Sequence, residues 1–443
     1  MLPCPVCVDI RPGKDRVPAW QWSVRLVFVL LLFHWVAESW RYNGAIAQAD
    51  WRSDLRADAA GYYVYLPALC HHGFRAHQVP EHSSIGEATG YQIDRTKDRI
   101  VTKYTYGVAL LQLPFFLVAE LVSGPRSTDG FTEVHRRAIE AAGILYWLAG
   151  LCLLWRGLRR WRPLSGVSAL CVLALVSFGS NVFYYAFRMP GFSHVHSFFL
   201  VCLAIAVLPV RDVPWKYRGT LLFQVACALI VLIRPSDLLL VLFLYCWMGL
   251  RTTNGVSIRR LLPGQLVIGS LVWLPQLCYW HFVHGTWLHY SYGQETFSEW
   301  ASPHVQEFLF AVQNGWLPYA PALLLLPFGM LAMARNERPL LLLTMGTLVA
   351  AVYVSASWFT WRYGCSYGAR PMVQYMPVAA LFLWAFMQAK EARSKALRTA
   401  LLPVIGLLCF VNYRASLQYT GCINGDEIWN WRLYVDNIVQ AFF

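Results

Sequence analysis

The chain has 443 residues, of which 57% are hydrophobic and 15% aromatic, while only 14% are charged. Soluble chains carry about a quarter charged residues, so a soluble globular enzyme is excluded. The formal net charge of +13 does not point to nucleic acid either. The basic residues sit mostly in short loops between apolar runs, and no soluble basic domain carries them.

Apolar runs of spanning length recur from residue 24 to residue 415, the pattern of transmembrane helices. They lack the alternation of barrel strands, and only helices or closed barrels satisfy the backbone in lipid. The expected fold is all-α: a polytopic transmembrane helical protein of about eleven spans. Those spans are residues 24–40, 138–155, 164–186, 193–210, 219–233, 236–250, 262–282, 316–334, 339–357, 371–388 and 399–415. The first ends in Trp35, Glu38 and Trp40 without a small-residue cleavage site, and reads as uncleaved. Cys152, Cys171, Cys202, Cys227 and Cys409 lie inside apolar runs, where cysteine behaves as a small hydrophobe. Cys4 and Cys7 form a CxxC without a second pair and read as chance rather than as a metal site.

Basic clusters recur at every second loop. They are Arg156, Arg159, Arg160 and Arg162; Arg211, Lys216 and Arg218; Arg251, Arg259 and Arg260; Arg335 and Arg338; and Lys390, Arg393, Lys395 and Arg398. The N-terminal segment adds Arg11, Lys14, Arg16 and Arg25. All ask for the cytoplasmic side, and they agree only if the apolar segment 105–122 does not cross. Gly107 and Pro114 interrupt that segment and Glu120 lies near its end, so it is expected to dip into the outer leaflet or lie along it. The alternative keeps it as a span and puts the N-terminus outside. The outer face then receives residues 41–137, 283–315 and 358–370. Residues 1–415 read as one membrane-embedded domain containing the outside segment 41–137. Residues 416–443 read as an outside tail whose Trp429, Trp431, Tyr434 and Phe443 suit an interfacial helix. Cys365 and Cys422 are both outside in this topology, where oxidising conditions permit a disulfide.

Chemistry-bearing residues gather on that outer face. Asp54 and Asp58 are four apart and would share a helix face. Close carboxylates raise one another's proton affinity, which suits a general base, whereas the bland role for Asp54 is a helix cap. Lys103, in Thr102-Lys103-Tyr104-Thr105-Tyr106-Gly107, can hold a phosphate as a point charge or simply snorkel. Arg234 precedes Pro235 at the outer end of an apolar run, where charge is costly unless paired. His194 and His196 are two apart and share no helix face, so they make no metal site by themselves. In the loop 283–315, Tyr290 and Tyr292 surround Glu295, an arrangement that suits stacking on a sugar. The loop 358–370 adds Trp358, Trp361, Arg362, Tyr363, Tyr367 and Arg370. Aromatic belts explain the rings but not Arg370 before Pro371.

Asp58-Ala59-Ala60-Gly61-Tyr62-Tyr63 shortly after the first span, opening a long outside loop, resembles the GT-C superfamily of membrane glycosyltransferases. Protein O-mannosyltransferases and lipid A aminoarabinose transferases are similar in layout. The resemblance implies a catalytic aspartate just after the first span, matched by Asp58, and a basic residue for the donor phosphate, matched by Lys103. The adjacent acidic pair of many members is missing, so the sequence leaves Asp54 and Asp58 open. The implied activity is inverting transfer of a hexosyl or pentosyl group from a polyprenyl-phosphate sugar to a lipid, glycan or protein acceptor. It would occur at the outer face of a bacterial-type plasma membrane, among membrane lipids and without nucleic acid. Lys103, Arg234 and Arg370 would hold the donor phosphate, and Tyr62, Tyr292, Glu295 and Trp361 the sugar or acceptor. No cofactor is called for and no nucleotide-binding loop is evident, while a divalent metal stays open. Two other readings compete. A transporter or flippase for a lipid-linked sugar would show repeated halves and ionisable residues in mid-span. An O-antigen-type polymerase or ligase would put its decisive residues in a late large loop. The topology is checked with cysteines replacing Ile85 and Ser127. Both should react with an impermeant thiol reagent in intact cells, and labelling from opposite sides would make 105–122 a span.

Overall fold

A computed structural model of the chain describes residues 19–45, 55, 57–79, 90–124, 129–209, 217–251, 258–391, 395–419, 427–440 and 442. Asp54, Cys4, Cys7 and Cys422 lie outside the described residues, as do Arg11, Lys14, Arg16, Arg211, Lys216 and Arg393. In chain order the helices are α1 (Ala19–Ala45), α2 (Ala57–Tyr63), α3 (Tyr65–Cys70), α4 (Gly107–Ser123), α5 (Glu133–Trp161) and α6 (Gly166–Ser177). Next come α7 (Val182–Phe187), α8 (Ser193–Val207), α9 (Tyr217–Ile233), α10 (Leu238–Arg251), α11 (Ile258–His284) and α12 (Val305–Phe310). The last are α13 (Leu326–Asn336), α14 (Arg338–Ala356), α15 (Met376–Glu391), α16 (Lys395–Gln418) and α17 (Trp431–Gln440). A hairpin of β1 (Tyr91–Asp94) and β2 (Arg99–Thr102), with Tyr91 opposite Thr102, is the one sheet among the described residues.

Every apolar run contains helix, and among the described residues five helices are both long and apolar enough to cross a bilayer by length and composition. Runs 164–186, 316–334 and 371–388, expected as continuous spans, are interrupted; in the last, α15 is entered through the 3₁₀ turn Arg370–Tyr375. Residues 164–186 break between α6 and α7, because Ser180 turns its hydroxyl back onto the Val176 carbonyl at 2.5 Å. The carbonyls freed at Phe178 and Ser180 both accept from Asn412 of α16, at 2.8 Å each. Residues 316–334 enter α13 through a 3₁₀ turn that begins at Pro321, whose ring removes a backbone donor.

The central seam is α5 against α8. Gly143, Gly150 and Gly157 recur at seven-residue spacing on α5, and a Cβ at each would meet Pro190, Phe198 and Ile205 at 2.2, 2.7 and 2.7 Å. Contacts that advance together along both helices make them parallel.

The bundle has two chemically different ends. At one, Arg160 donates to the Ala206 carbonyl at 2.5 Å, Arg162 pairs with Glu337 at 2.6 Å, and Arg251 donates to the Arg160 carbonyl at 3.4 Å. At the other, Ser39 of α1 donates to the Phe187 carbonyl at 2.9 Å and Trp40 to the Arg137 carbonyl at 3.1 Å. Helix α4 belongs wholly to this second end. Its Gly107 lies on Ile233, the last residue of α9, and its Glu120 is shared by His71 at 2.9 Å and His135 of the first turn of α5 at 2.7 Å. It therefore does not run from one end of the bundle to the other. Helix α17 docks through the Tyr434 hydroxyl on the Pro318 carbonyl at 2.5 Å and leaves Trp431, Val435 and Val439 exposed. Cys365 is disulfide-bonded.

The α5–α8 seam predicts a contrast between two glycines. Gly143→Ala should destabilise the purified protein by about 1–3 kcal/mol through overpacking, lowering Tm in detergent. Gly346→Ala, in open space on α14, should leave Tm unchanged or raise it. Equal effects would contradict the close seam.

Candidate active site

Helix α2 is short and lies flat on its neighbours because Gly61 carries no side chain. A Cβ there would sit 2.3 Å from the Tyr104 ring and 2.5 Å from the Gly90 carbonyl oxygen. Ala57, at φ +49°, starts the helix from the left-handed region, a conformation that strains a residue with a side chain. This packing puts Asp58 in the first turn of α2, with Oδ1 2.5 Å from the Tyr104 hydroxyl. Its other oxygen, Oδ2, is 3.1 Å from a guanidinium nitrogen of Arg370, at the start of the 3₁₀ turn that leads into α15. The Arg370 guanidinium carbon also lies 5.6 Å from the Phe192 ring centre and 5.8 Å from that of Tyr363, within cation–π range.

The tyrosines around Asp58 stay protonated. Burial first, and the Asp58 charge second, push the Tyr104 phenol well above the usual tyrosine range. It is therefore a hydrogen-bond donor to Asp58 at neutral pH. The Tyr62 ring packs 4.3 Å from that of Tyr104, its hydroxyl bonds Ser193 Oγ at 3.1 Å, and burial raises its pKa too. Burial likewise raises Tyr292.

Lys103 follows β2, and its ammonium contacts both oxygens of Glu295 at 2.7 and 2.8 Å. It also lies 5.5 and 5.4 Å from the ring centres of Tyr104 and Tyr292. Ser291 donates to the Lys103 carbonyl at 2.5 Å and the Tyr290 hydroxyl to the Glu295 carbonyl at 2.6 Å, so the loop after α11 is fastened to the segment after β2. Arg234, between α9 and α10, has Nε 4.0 Å from Oδ2 of Asp237.

These groups line one cavity of about 610 Å³ at the end of the bundle opposite the arginine-rich one. Asp58, Tyr62, Lys103, Arg234, Tyr292, Glu295 and Arg370, singled out from the sequence, all face it. Trp361 does not: it is buried beside His304, 6.4 Å between ring centres, and Trp358, Tyr363 and Phe297 supply the aromatic wall. The chain takes positive φ at Tyr363 (+55°) and Gly364 (+73°). Three contributors escaped the sequence reading: Tyr104, Asp237 and Gln374. Asp237 was hidden by counting 236–250 as a span, although its spacing of three from Arg234 fits a one-turn pair. His194 and His196 turn to different neighbours, Gln374 Oε1 at 3.2 Å and the Phe192 carbonyl at 2.8 Å. Among the described residues no group of three or more His, Cys, Asp or Glu side chains is arranged to hold a metal.

The arrangement can do two things. Among the described residues each carboxylate oxygen of Asp58 has one partner and keeps a lone pair, so it can accept a proton from a hydroxyl. Three cations around one cavity suit an anionic group. Because Lys103 and Glu295 are each about one-third exposed, their pair should be weak. A double-mutant cycle of Lys103→Met and Glu295→Gln, read by thermal unfolding in detergent, should give a coupling of about 0.5–1 kcal/mol. Zero coupling would mean the loop is held by its hydroxyl contacts, Ser291 to the Lys103 carbonyl among them, and not by the ion pair.

No family model matches the chain and no curated protein matches it. Among solved structures, the chain is similar to the crystal structure of ArnT from Cupriavidus metallidurans bound to undecaprenyl phosphate, with a TM-score of 0.52 and 16% identity. The match covers 96% of this chain and 70% of that one. At that identity the likeness is one of fold alone.

Proposed function

We propose that the chain is a glycosyltransferase that moves a sugar from a polyprenyl-phosphate donor to an acceptor hydroxyl, with inversion. The observation that carries this reading is one cavity holding an oriented carboxylate, Asp58, together with Lys103, Arg234 and Arg370. In the step, the acceptor oxygen attacks the anomeric carbon and its proton passes to Asp58. The bond from that carbon to the phosphate oxygen breaks, and polyprenyl phosphate leaves with the electron pair. A single displacement inverts the anomeric centre. Tyr104 and Arg370 orient Asp58; Arg234 and Lys103 hold the phosphate charge as it develops. Tyr62, Tyr292 and Glu295 are placed to meet the sugar or acceptor. Ala351, Val354 and Phe359 offer an apolar wall for the first isoprene units. The fold neighbour was solved with undecaprenyl phosphate bound, which agrees with a lipid-phosphate donor.

The polarity of the bundle supports an outer-face site. Arg160, Arg162 and Arg251 mark the end opposite the cavity, and a positive end faces the cytoplasm. Helix α4 then lies along the outer leaflet rather than crossing it. Asp58 takes the role of base.

The test is an assay of the purified protein with a panel of polyprenyl-phosphate sugars, read by mass spectrometry. Asp58→Asn should lower kcat by roughly 10²–10⁴-fold with donor binding kept. Arg234→Gln and Lys103→Ala should raise the donor KM, each by about thirtyfold, the equivalent of about 2 kcal/mol for a charge-assisted contact. A fully active Asp58→Asn enzyme would overturn the mechanism.

A further inference from the structure

Among the described residues, three cationic and three carboxylate side chains line the cavity: Lys103, Arg234 and Arg370 with Asp58, Asp237 and Glu295. Their formal charges cancel, but the pairs are not alike. Lys103 and Arg370 touch their carboxylates at 2.7 and 3.1 Å. Arg234 stands 4.0 Å from Asp237, beyond hydrogen-bond range, and its Nε is buried without a hydrogen-bond partner.

Asp237 keeps its distance because it is held from behind. It is 1% exposed, and the Gln374 side-chain amide donates to its two oxygens at 3.1 and 3.2 Å. Gln374 is itself fixed by buried His194, which faces its Oε1 at 3.2 Å. The turn that carries both charged residues has its own support, since the Asp237 backbone N–H donates to the Arg234 carbonyl at 2.8 Å. The carboxylate therefore acts on Arg234 through charge rather than as a directional tether.

We propose that Asp237, held back by Gln374, is a positioning residue that leaves Arg234 only partly neutralised, so that the cavity does not retain a phosphomonoester over a phosphodiester. This rests on the reading of the cavity as a lipid-phosphate site. The donor in that reading is a diester with one negative charge. The lipid product is a monoester that carries close to two at neutral pH. A bare guanidinium would favour the dianion and slow its release. A carboxylate just behind the guanidinium repels the dianion about twice as strongly as the monoanion, because Coulomb energy scales with charge.

The experiment measures binding of farnesyl phosphate and of its methyl diester to the full chain in detergent. The wild type should bind the two with similar affinity. Asp237→Asn should tighten the monoester on the order of tenfold and the diester clearly less, with kcat and KM falling together in turnover. Gln374→Leu should act in the opposite direction, because it removes one of the two side chains that hold Asp237, leaving Tyr375, so that Asp237 can move towards Arg234 and weaken monoester binding. Asp237→Asn also leaves a buried cation without its counter-charge, so farnesyl phosphate should raise its Tm more than that of the wild type. Wild-type binding with an unchanged monoester-to-diester ratio in both variants would overturn the role of Asp237. So would weakening in both variants, the mark of a merely structural pair. Wild-type protein that binds neither ester would overturn the lipid-phosphate reading and this inference with it.

Discussion

The contact of Asp58 with Tyr104 and Arg370 is the junction on which the site depends. The Asp58 carboxylate lines the cavity and is held there by two partners. Here the partners come from the segment after β2 and from the entry to α15. The first long loop must therefore fold down onto the bundle rather than stand away from it. Its sequence allows this close approach at three glycines. Gly61 admits the Tyr104 ring, Gly90 admits the Ala57 carbonyl, and Gly107 lets α4 seat on Ile233. Side chains at those positions would lift the loop and separate the acid from its cations.

The same junction explains a charge pattern that hydropathy alone leaves odd. At the arginine-rich end, cations bond backbone carbonyls, Glu337 and Gln388. In the cavity, Lys103, Arg234 and Arg370 each lie near a carboxylate. Among the described residues the cavity is thus polar, with its cations set near carboxylates. Paired charges can be kept in an otherwise apolar helical bundle and remain available to an incoming anion, which competes with carboxylates that are already close.

Much of this was legible in the sequence because it broke local rules. Helical runs followed from hydropathy. Asp58 stood out as an acid after the first apolar run, followed by small and aromatic residues. Arg234 and Arg370 stood out as cations where the charge rule disfavours them. The pairings were not legible, because Lys103 meets Glu295 and Arg370 meets Asp58 across long stretches of chain that only tertiary packing brings together. Asp237 was lost within an apolar run. Trp361 was expected at the site, but it is buried beside His304 and Trp358 lines the cavity instead. The break in 164–186 depends on Asn412 from a distant helix, and the hairpin of β1 and β2 is too short to register as alternation.

The central claim is that this cavity is where a lipid phosphate meets a general base. The most direct measurement is a structure of the chain with a polyprenyl phosphate bound. The account predicts the phosphate against Arg234, with the Lys103 ammonium turned from Glu295 towards it and the first isoprene units along Ala351 and Val354 of α14. A phosphate bound instead among the arginines at the opposite end, or on the flank of α4, would contradict it.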